Sequence, residues 1–197
     1  MEETLVFIDE GFLGKLTKHF GRGNYIKFNK LILAKNLSKK QGLLFKHLFY
    51  YTAPPFQGTP PKKEEIERKS GYDTFIKALS KNKDITIREG RVQKLFDKNK
   101  NPIFKQKGVD TLMTIDLSHV KEDYLNVKKI IIITSDTDFS PIINDLEKRG
   151  IKVILYTYFD KKRGDRFSVS NELLNCCSSY FQLTKKDFED ALLKSDK

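Results

Sequence analysis

The chain has 197 residues, enough for one α/β domain with a substantial core and too few for a second full one. Charged residues make up 32% and hydrophobic ones 39%, which excludes a disordered chain, and Lys plus Arg outnumber Asp plus Glu by 37 to 26, for a net charge of +11. Two adjacent cysteines, Cys176 and Cys177, and three scattered histidines offer neither a disulfide framework nor zinc-ligand spacing.

In chain order, Leu5-Val6-Phe7-Ile8 reads as the first strand, ended by Asp9 and Glu10. Gly11, Gly14, Gly21 and Gly23 follow, with Lys15, Lys18 and Arg22 among them. This segment reads as a flexible basic loop or a short helix. It is suited to phosphate contact, yet its spacing is neither a phosphate-binding loop nor a dinucleotide fingerprint. Asn29 to Lys40 reads as a helix broken by Gly42, and Leu48 to Thr52 as the second strand. A proline-rich loop runs from Ala53 to Pro61. Lys62 to Asn82 reads as a mostly exposed helix with a candidate break at Gly71.

Ile85 to Ile87 reads as a strand. Val92 to Phe96 and Ile103 to Lys107 flank Asp97-Lys98-Asn99-Lys100-Asn101-Pro102 as a basic β-hairpin projecting from the sheet edge, about 92–107. Val109 to Val120 reads as a helix. The run Ile130 to Ile133, then Thr134, reads as a strand buried on both faces of a parallel sheet. Ser140-Pro141 reads as the N-cap and first turn of a helix ending at Gly150, and Ile151 to Tyr156 as the next strand. Asp160 to Arg166 reads as a charged loop, Asn171 to Cys177 as a short helix, Tyr180 to Leu183 as a last strand. Thr184 caps an amphipathic helix at about 185–194, with Phe188, Leu192 and Leu193 on its apolar face.

The chemistry concentrates where apolar runs end. Ser135-Asp136-Thr137-Asp138 follows the isoleucine run, so two carboxylates stand at the C-terminal rim of a parallel strand, where α/β sheets bind ligands. Asp9 ends the first strand, and Asp110 opens the helix at 109. As a helix cap Asp9 needs no function, and Asp136 with Asp138 also fits an Asx-turn. Converging carboxylates repel one another and are tolerable around a divalent cation; oxygen donors without His or Cys point to Mg²⁺ or Mn²⁺. Asp116 lies six residues beyond Asp110, about 240° around a regular helix, so the two do not face one ion and Asp116 takes a supporting role. The excess positive charge around such a site suggests a polyanionic partner, although lysine-rich solvated faces alone give the same count.

Ile8-Asp9-Glu10-Gly11-Phe12, Lys107-Gly108-Val109-Asp110, Asp116 and Thr134-Ser135-Asp136-Thr137-Asp138-Phe139 together resemble the NYN family of PIN-like ribonucleases over nearly the whole chain. The resemblance implies a Rossmann-like three-layer α/β/α fold with a central, mainly parallel sheet, and divalent-metal-dependent hydrolysis of RNA, single-stranded by preference. It makes Asp9, Asp110 and Asp136 the central catalytic and metal-binding acids, completed by Asp138, with Mg²⁺ or Mn²⁺ as cofactor. The family pattern has Asn three residues after the first Asp, where this chain has Phe12.

Around such a site, Ser135 and Lys107 are candidates for the scissile phosphate. Arg88, Arg91, Lys94, Lys98 and Lys100 are candidates to follow the RNA backbone, and Phe96, Tyr25 or Phe12 to stack bases. DNA stays open as an alternative partner, and so does a homodimer. The rival reading is an RNA-binding module whose acids are structural. An aspartate-nucleophile phosphatase fits poorly, because its Asp-x-Asp belongs on the first strand. The acidic Met1-Glu2-Glu3 start, the absence of an apolar run of ~18 residues and the cysteine usage suggest a cytoplasmic protein without a membrane span.

Overall fold

The computed structural model describes residues 1–160 and 167–193. Six strands form one sheet: β1 (Glu3–Asp9), β2 (Leu44–Thr52), β3 (Ile85–Glu89), β6 (Lys129–Ile133), β7 (Lys152–Thr157) and β8 (Ser179–Gln182). Between β3 and β6, β4 (Arg91–Phe96) and β5 (Pro102–Lys107) pair antiparallel as a separate hairpin. The helices are α1 (Glu10–Phe20), α2 (Lys30–Lys40), α3 (Lys63–Leu79), α4 (Val109–Ser118), α5 (Val120–Asp123), α6 (Ser140–Lys148), α7 (Asn171–Cys176) and α8 (Lys185–Glu189).

The sheet order is β3-β2-β1-β6-β7-β8, and every pairing in it is parallel. From β1 the chain builds outward to β2 and β3 on one side, then returns to place β6, β7 and β8 on the other. The order therefore reverses between β1 and β6, the switch point where such sheets leave a crevice at their carboxyl ends.

Strand alternation sorts the core into two layers. Val6, Ile8, Ile131 and Ile133 meet Phe12, Leu13 and Leu16 of α1, Leu33 and Leu37 of α2, and Phe188 of α8. Leu5, Phe7, Ile130 and Ile132 meet Val109, Met113 and Leu117 of α4, Ile143 and Leu146 of α6, and Leu173 of α7. The continuous apolar runs of β1 and β6 are thus explained: both faces are covered. The fold is a three-layer α/β/α arrangement.

Several local expectations give way. Of the two forms open to the segment after Asp9, a loop or a short helix, the helix is the one found over Glu10–Phe20, because Asp9 caps it and Phe12, Leu13 and Leu16 supply a buried face. Helix α3 runs through Gly71 without a break. The N-cap expected at Ser140 lies elsewhere: Asp136 caps a 3-10 turn over Thr137–Phe139, which leads into α6 with Phe139 as its cap and Pro141 in its first turn. The last helix stops at Glu189 instead of reaching 194, since Leu192 leaves it to bridge Phe28, and Leu192 and Leu193 are half exposed rather than packed. The charged loop expected at 160–166 falls, from 161 on, outside the described residues.

The hairpin is a separate two-stranded sheet beyond the edge strand β3, with every residue of β5 exposed, and it is held at its base and along one side. At its base Gly90 N–H donates to the Thr52 carbonyl at 2.8 Å. Farther out the Phe104 ring lies 5.5 Å from that of Phe56 in the proline-rich loop. At its other base Gly108 takes φ +80°, a left-handed conformation that turns β5 directly into α4. A Cβ on Gly90 would stand 2.5 Å from the Lys107 carbonyl oxygen, a backbone atom that has to move for it. Gly90→Ala is expected to cost about 1–3 kcal/mol, the usual range for overpacking. Urea unfolding of parent and variant measures it, and an unchanged midpoint would mean the hairpin base is loose.

Candidate active site

Asp9 is the last residue of β1 and the N-cap of α1. Its Oδ1 accepts from the Phe12 backbone N–H at 3.3 Å, and its Oδ2 accepts from the Thr134 hydroxyl at 3.1 Å. The same Thr134 hydroxyl oxygen accepts from the Asp136 backbone N–H at 3.1 Å. Thr134 is fully buried. One hydroxyl therefore ties the ends of the two central strands together and fixes both acids. Asp136 in turn accepts from Asp138 N–H through Oδ1 at 3.0 Å, which makes the Ser-Asp-Thr-Asp run a capped turn. The cap occupies one carboxylate oxygen of Asp136 and does not exclude the other from a ligand role.

Asp110 arrives from a different part of the chain, in the first turn of α4 just past Gly108. Asp9, Asp110, Ser135 and Asp136 line one cavity of about 610 Å³, together with Gly11, Phe12, Lys15 and Gln106. Asp138 is exposed and outside that lining, but its charge reaches Asp110. Burial pushes the Asp9 carboxyl up to about 6, against the hydrogen bonds from Phe12 and Thr134, with the charge of Asp110 adding to the rise. Asp110 is also raised, first by burial and then by Asp136 and Asp138. Burial is the larger cause of both shifts, the neighbouring carboxylate charges add to it, and a cation in the cavity would offset that added part. Among the described residues no group of three carboxylate, histidine or cysteine side chains is arranged to hold a metal ion as they stand. The donors have the hard-oxygen chemistry that suits Mg²⁺ or Mn²⁺, and drawing them onto one ion requires side-chain movement.

The remaining candidates are spread more widely. Asp116 is away from the cavity: its carboxylate takes a bidentate pair from Arg88, both contacts at 2.9 Å, and accepts from the Tyr51 hydroxyl at 2.9 Å. Arg88 is thereby committed to α4 rather than free to follow a nucleic-acid backbone, since a bidentate charge-assisted pair fixes its guanidinium. Lys94 lies over the rings of Phe56 and Phe96. Lys98 and Lys100 are in the hairpin tip, where Asp97 accepts from the Asn99 and Asn101 backbone N–H groups. Lys107 and Arg91 face each other across the hairpin base, both exposed. Phe12 is 4% exposed and packs into the core, and Phe96 is at the hairpin end.

Two residues of the site, Thr134 behind the cavity and Gln106 in its wall, carried no role in the sequence pattern. Thr134 ends the isoleucine run, and a buried polar side chain at a strand's carboxyl end was its only signal. Lys15 was already placed in a segment suited to phosphate contact, and α1 puts it in the cavity wall. Gln106 alternates with Lys107 along β5, so attention to the charged neighbour missed the side chain that turns inward.

The NYN domain family model matches residues 26–184. The chain belongs to the NYN domain family. NYN domains are generally nuclease-like, which implies a nucleic-acid substrate for the family. The matched span contains Asp110, Asp136 and Asp138 and begins after Asp9, so Asp9 enters the site on geometry. A solved structure of a protein of unknown function from Vibrio parahaemolyticus is similar in fold: TM-score 0.58 at 15% identity, covering 98% of this chain and 96% of that one. No curated protein matches the sequence.

Because Asp9 holds its proton more tightly when folded, near 6 against an ordinary 3.8, metal-free protein is expected to lose stability as pH rises from about 4 to 6. The loss attributable to Asp9 is about 3 kcal/mol. Denaturation in EDTA across that range, read as the difference between parent and Asp9→Asn, isolates it from other carboxylates. A difference that does not change with pH would place Asp9 in a wetter environment.

Proposed function

We propose that this NYN domain is a divalent-metal-dependent ribonuclease that hydrolyses phosphodiester bonds in single-stranded RNA. The observation that carries the reading is the meeting of Asp9, Asp110 and Asp136 in one cavity at the switch point between β1 and β6, in a chain of net charge +11. Asp9, Asp110 and Asp136 would hold Mg²⁺ or Mn²⁺, with Asp138 completing the set. When bound, the ion supplies neutralisation of the phosphodiester charge and a more acidic bound water.

The chain's own groups do the rest. Thr134 and the Phe12 N–H hold Asp9 by both oxygens, so this carboxylate does not have to be ordered on binding. Lys15, which among the described residues has no ion-pair partner, lines the same cavity and offers a cation to a phosphate oxygen. Ser135 offers a hydroxyl beside it. The N-termini of α1 and α4 both open at the cavity, and their dipoles favour an anion there. Lys98, Lys100, Arg91 and Lys107 give the hairpin a positive surface for the strand leading in. The adjacent free thiols of Cys176 and Cys177 suit a reducing cytoplasm, and no helix among the described residues is long and apolar enough to cross a membrane.

One observation favours a second reading, an RNA-binding module of weak or no activity. Where the family pattern has a polar Asn, this chain buries Phe12 against the core, so that position contributes no polar atom.

Cleavage separates the readings. Asp136→Asn is expected to lower the rate of cutting labelled single-stranded RNA in Mn²⁺ at least a hundredfold with RNA affinity retained, whereas Asp116→Asn should destabilise the fold and leave cutting nearly intact. Equal rates for parent and Asp136→Asn would remove the metal-site assignment. A parent that binds RNA but never cuts it would select the binding module. Millimolar Mn²⁺ should also raise the parent's melting temperature and leave Asp136→Asn nearly unmoved, because only the folded state brings the acids together.

A further inference from the structure

Beside the acid-lined cavity lies a second one, of about 690 Å³. The two share Gly11, Lys15 and Gln106, so they are continuous across the first turns of α1. Their chemistry differs. The first carries the carboxylates; the second is walled by Tyr25, Tyr50, Tyr72 and Phe75, with Arg68 at its edge. Tyr50 is buried, and the Phe75 ring meets it edge-on at 6.0 Å. The Tyr72 hydroxyl donates to Glu89 at 2.7 Å, which holds that ring in place. Tyr25 stays 65% exposed, so it does not serve the core, and Lys18 Nζ stands 5.7 Å from its ring.

The cavity exists partly because of Gly14. It sits inside α1, where glycine is the poorest helix former short of proline. A Cβ there would be 3.4 Å from Glu10 Oε1 and 4.0 Å from Tyr25 Cε1, and a longer side chain would enter the space between them. Glu10 also lines this cavity, its charge met by Lys30 at 3.5 Å. A cavity lined by one exposed aromatic ring and by others held in place suits a flat, polarisable ring.

We infer that this second cavity is a nucleobase subsite. It rests on the ribonuclease reading and extends it: a base turned out of a single strand stacks among Tyr25, Tyr72 and Phe75, while the adjoining backbone crosses Lys15 to the acids. Lys15 lines both cavities and so faces the phosphate between the seated base and the site of cleavage. Stacking of this kind tolerates any base and excludes a paired one, because a duplex keeps its bases stacked on each other. The preference for single strands then resides in this pocket, not in the acids.

An abasic scan tests it. Fluorescence anisotropy in EDTA at low salt follows a short labelled single-stranded RNA in which each base is removed in turn. With the parent, removal at one position should weaken binding about tenfold, while the other positions change it little. Gly14→Leu, which fills the slot and adds a helix-favouring side chain, should bind the intact RNA as weakly as the parent binds the abasic one, and lose the positional effect. Tyr25→Ala, at an exposed site, should reduce the positional effect, so the test does not depend on how Gly14→Leu folds. Asp136→Asn should keep the parent's profile. A flat scan with RNA still bound and cut would overturn the subsite and leave the nuclease standing. An unchanged profile in both pocket variants would likewise place the base elsewhere. No RNA binding at any salt would overturn both.

Discussion

The pairing of β1 with β6 is the constraint on which the rest of the site depends. Their register sets Ile8 opposite Ile133, and the next residues, Asp9 and Thr134, meet through a hydrogen bond. A slip by one residue would send Val6 and Ile8 to the opposite layer and carry Asp9 away from Thr134. The fully buried isoleucines of β6 oppose such a slip, since both layers pack on them. The apolar core thus acts as the jig that sets two carboxylates side by side, and the Thr134 hydroxyl locks the setting.

That arrangement runs against stability. A carboxyl raised to about 6 by burial, beside a second one raised by burial and then by two neighbouring carboxylates, is a strained electrostatic state in the absence of a counter-ion. Among the described residues the carboxyls raised in this way lie at the switch point. Other acids are satisfied: Glu65 accepts from Gly58 and Lys62 N–H groups and holds the proline-rich loop, and Glu147 accepts from Val153 and Ser178. Contrast between satisfied acids across the fold and crowded ones at a single rim is what distinguishes a site from a merely charged surface.

Much of this was legible in the sequence because the strongest signals are short and apolar. The runs ending at Ile8 and Ile133 announced a parallel sheet, and carboxylates just beyond them announced its rim. Asp116 was separable from Asp110 by helical geometry alone. What stayed illegible depended on contacts between distant segments. Nothing local says that Arg88 pairs with Asp116, that Gln106 turns inward, or that the hairpin folds toward the proline-rich loop through Phe104 and Phe56. Glycines left loop and helix both open at α1, where packing and capping selected the helix, and the break considered at Gly71 does not occur. Leu192 misled: a helical pattern continued in sequence after a bridge to Phe28 had ended the helix.

The hairpin joins the site at two levels. Gln106 reaches the cavity from its inner face, and the chain, two residues beyond Gly108, delivers Asp110 from the first turn of α4. The base of the hairpin is crowded, with Gly90 against the Lys107 carbonyl, whereas the tip is closed by Asp97 alone. Tolerance to sequence change is therefore graded along its length. Near the tip, insertions and substitutions alter only an exposed turn. Toward the base each change is transmitted to an acid, so the variation open to descendants of this chain narrows residue by residue as the strands approach Gly90 and Gly108.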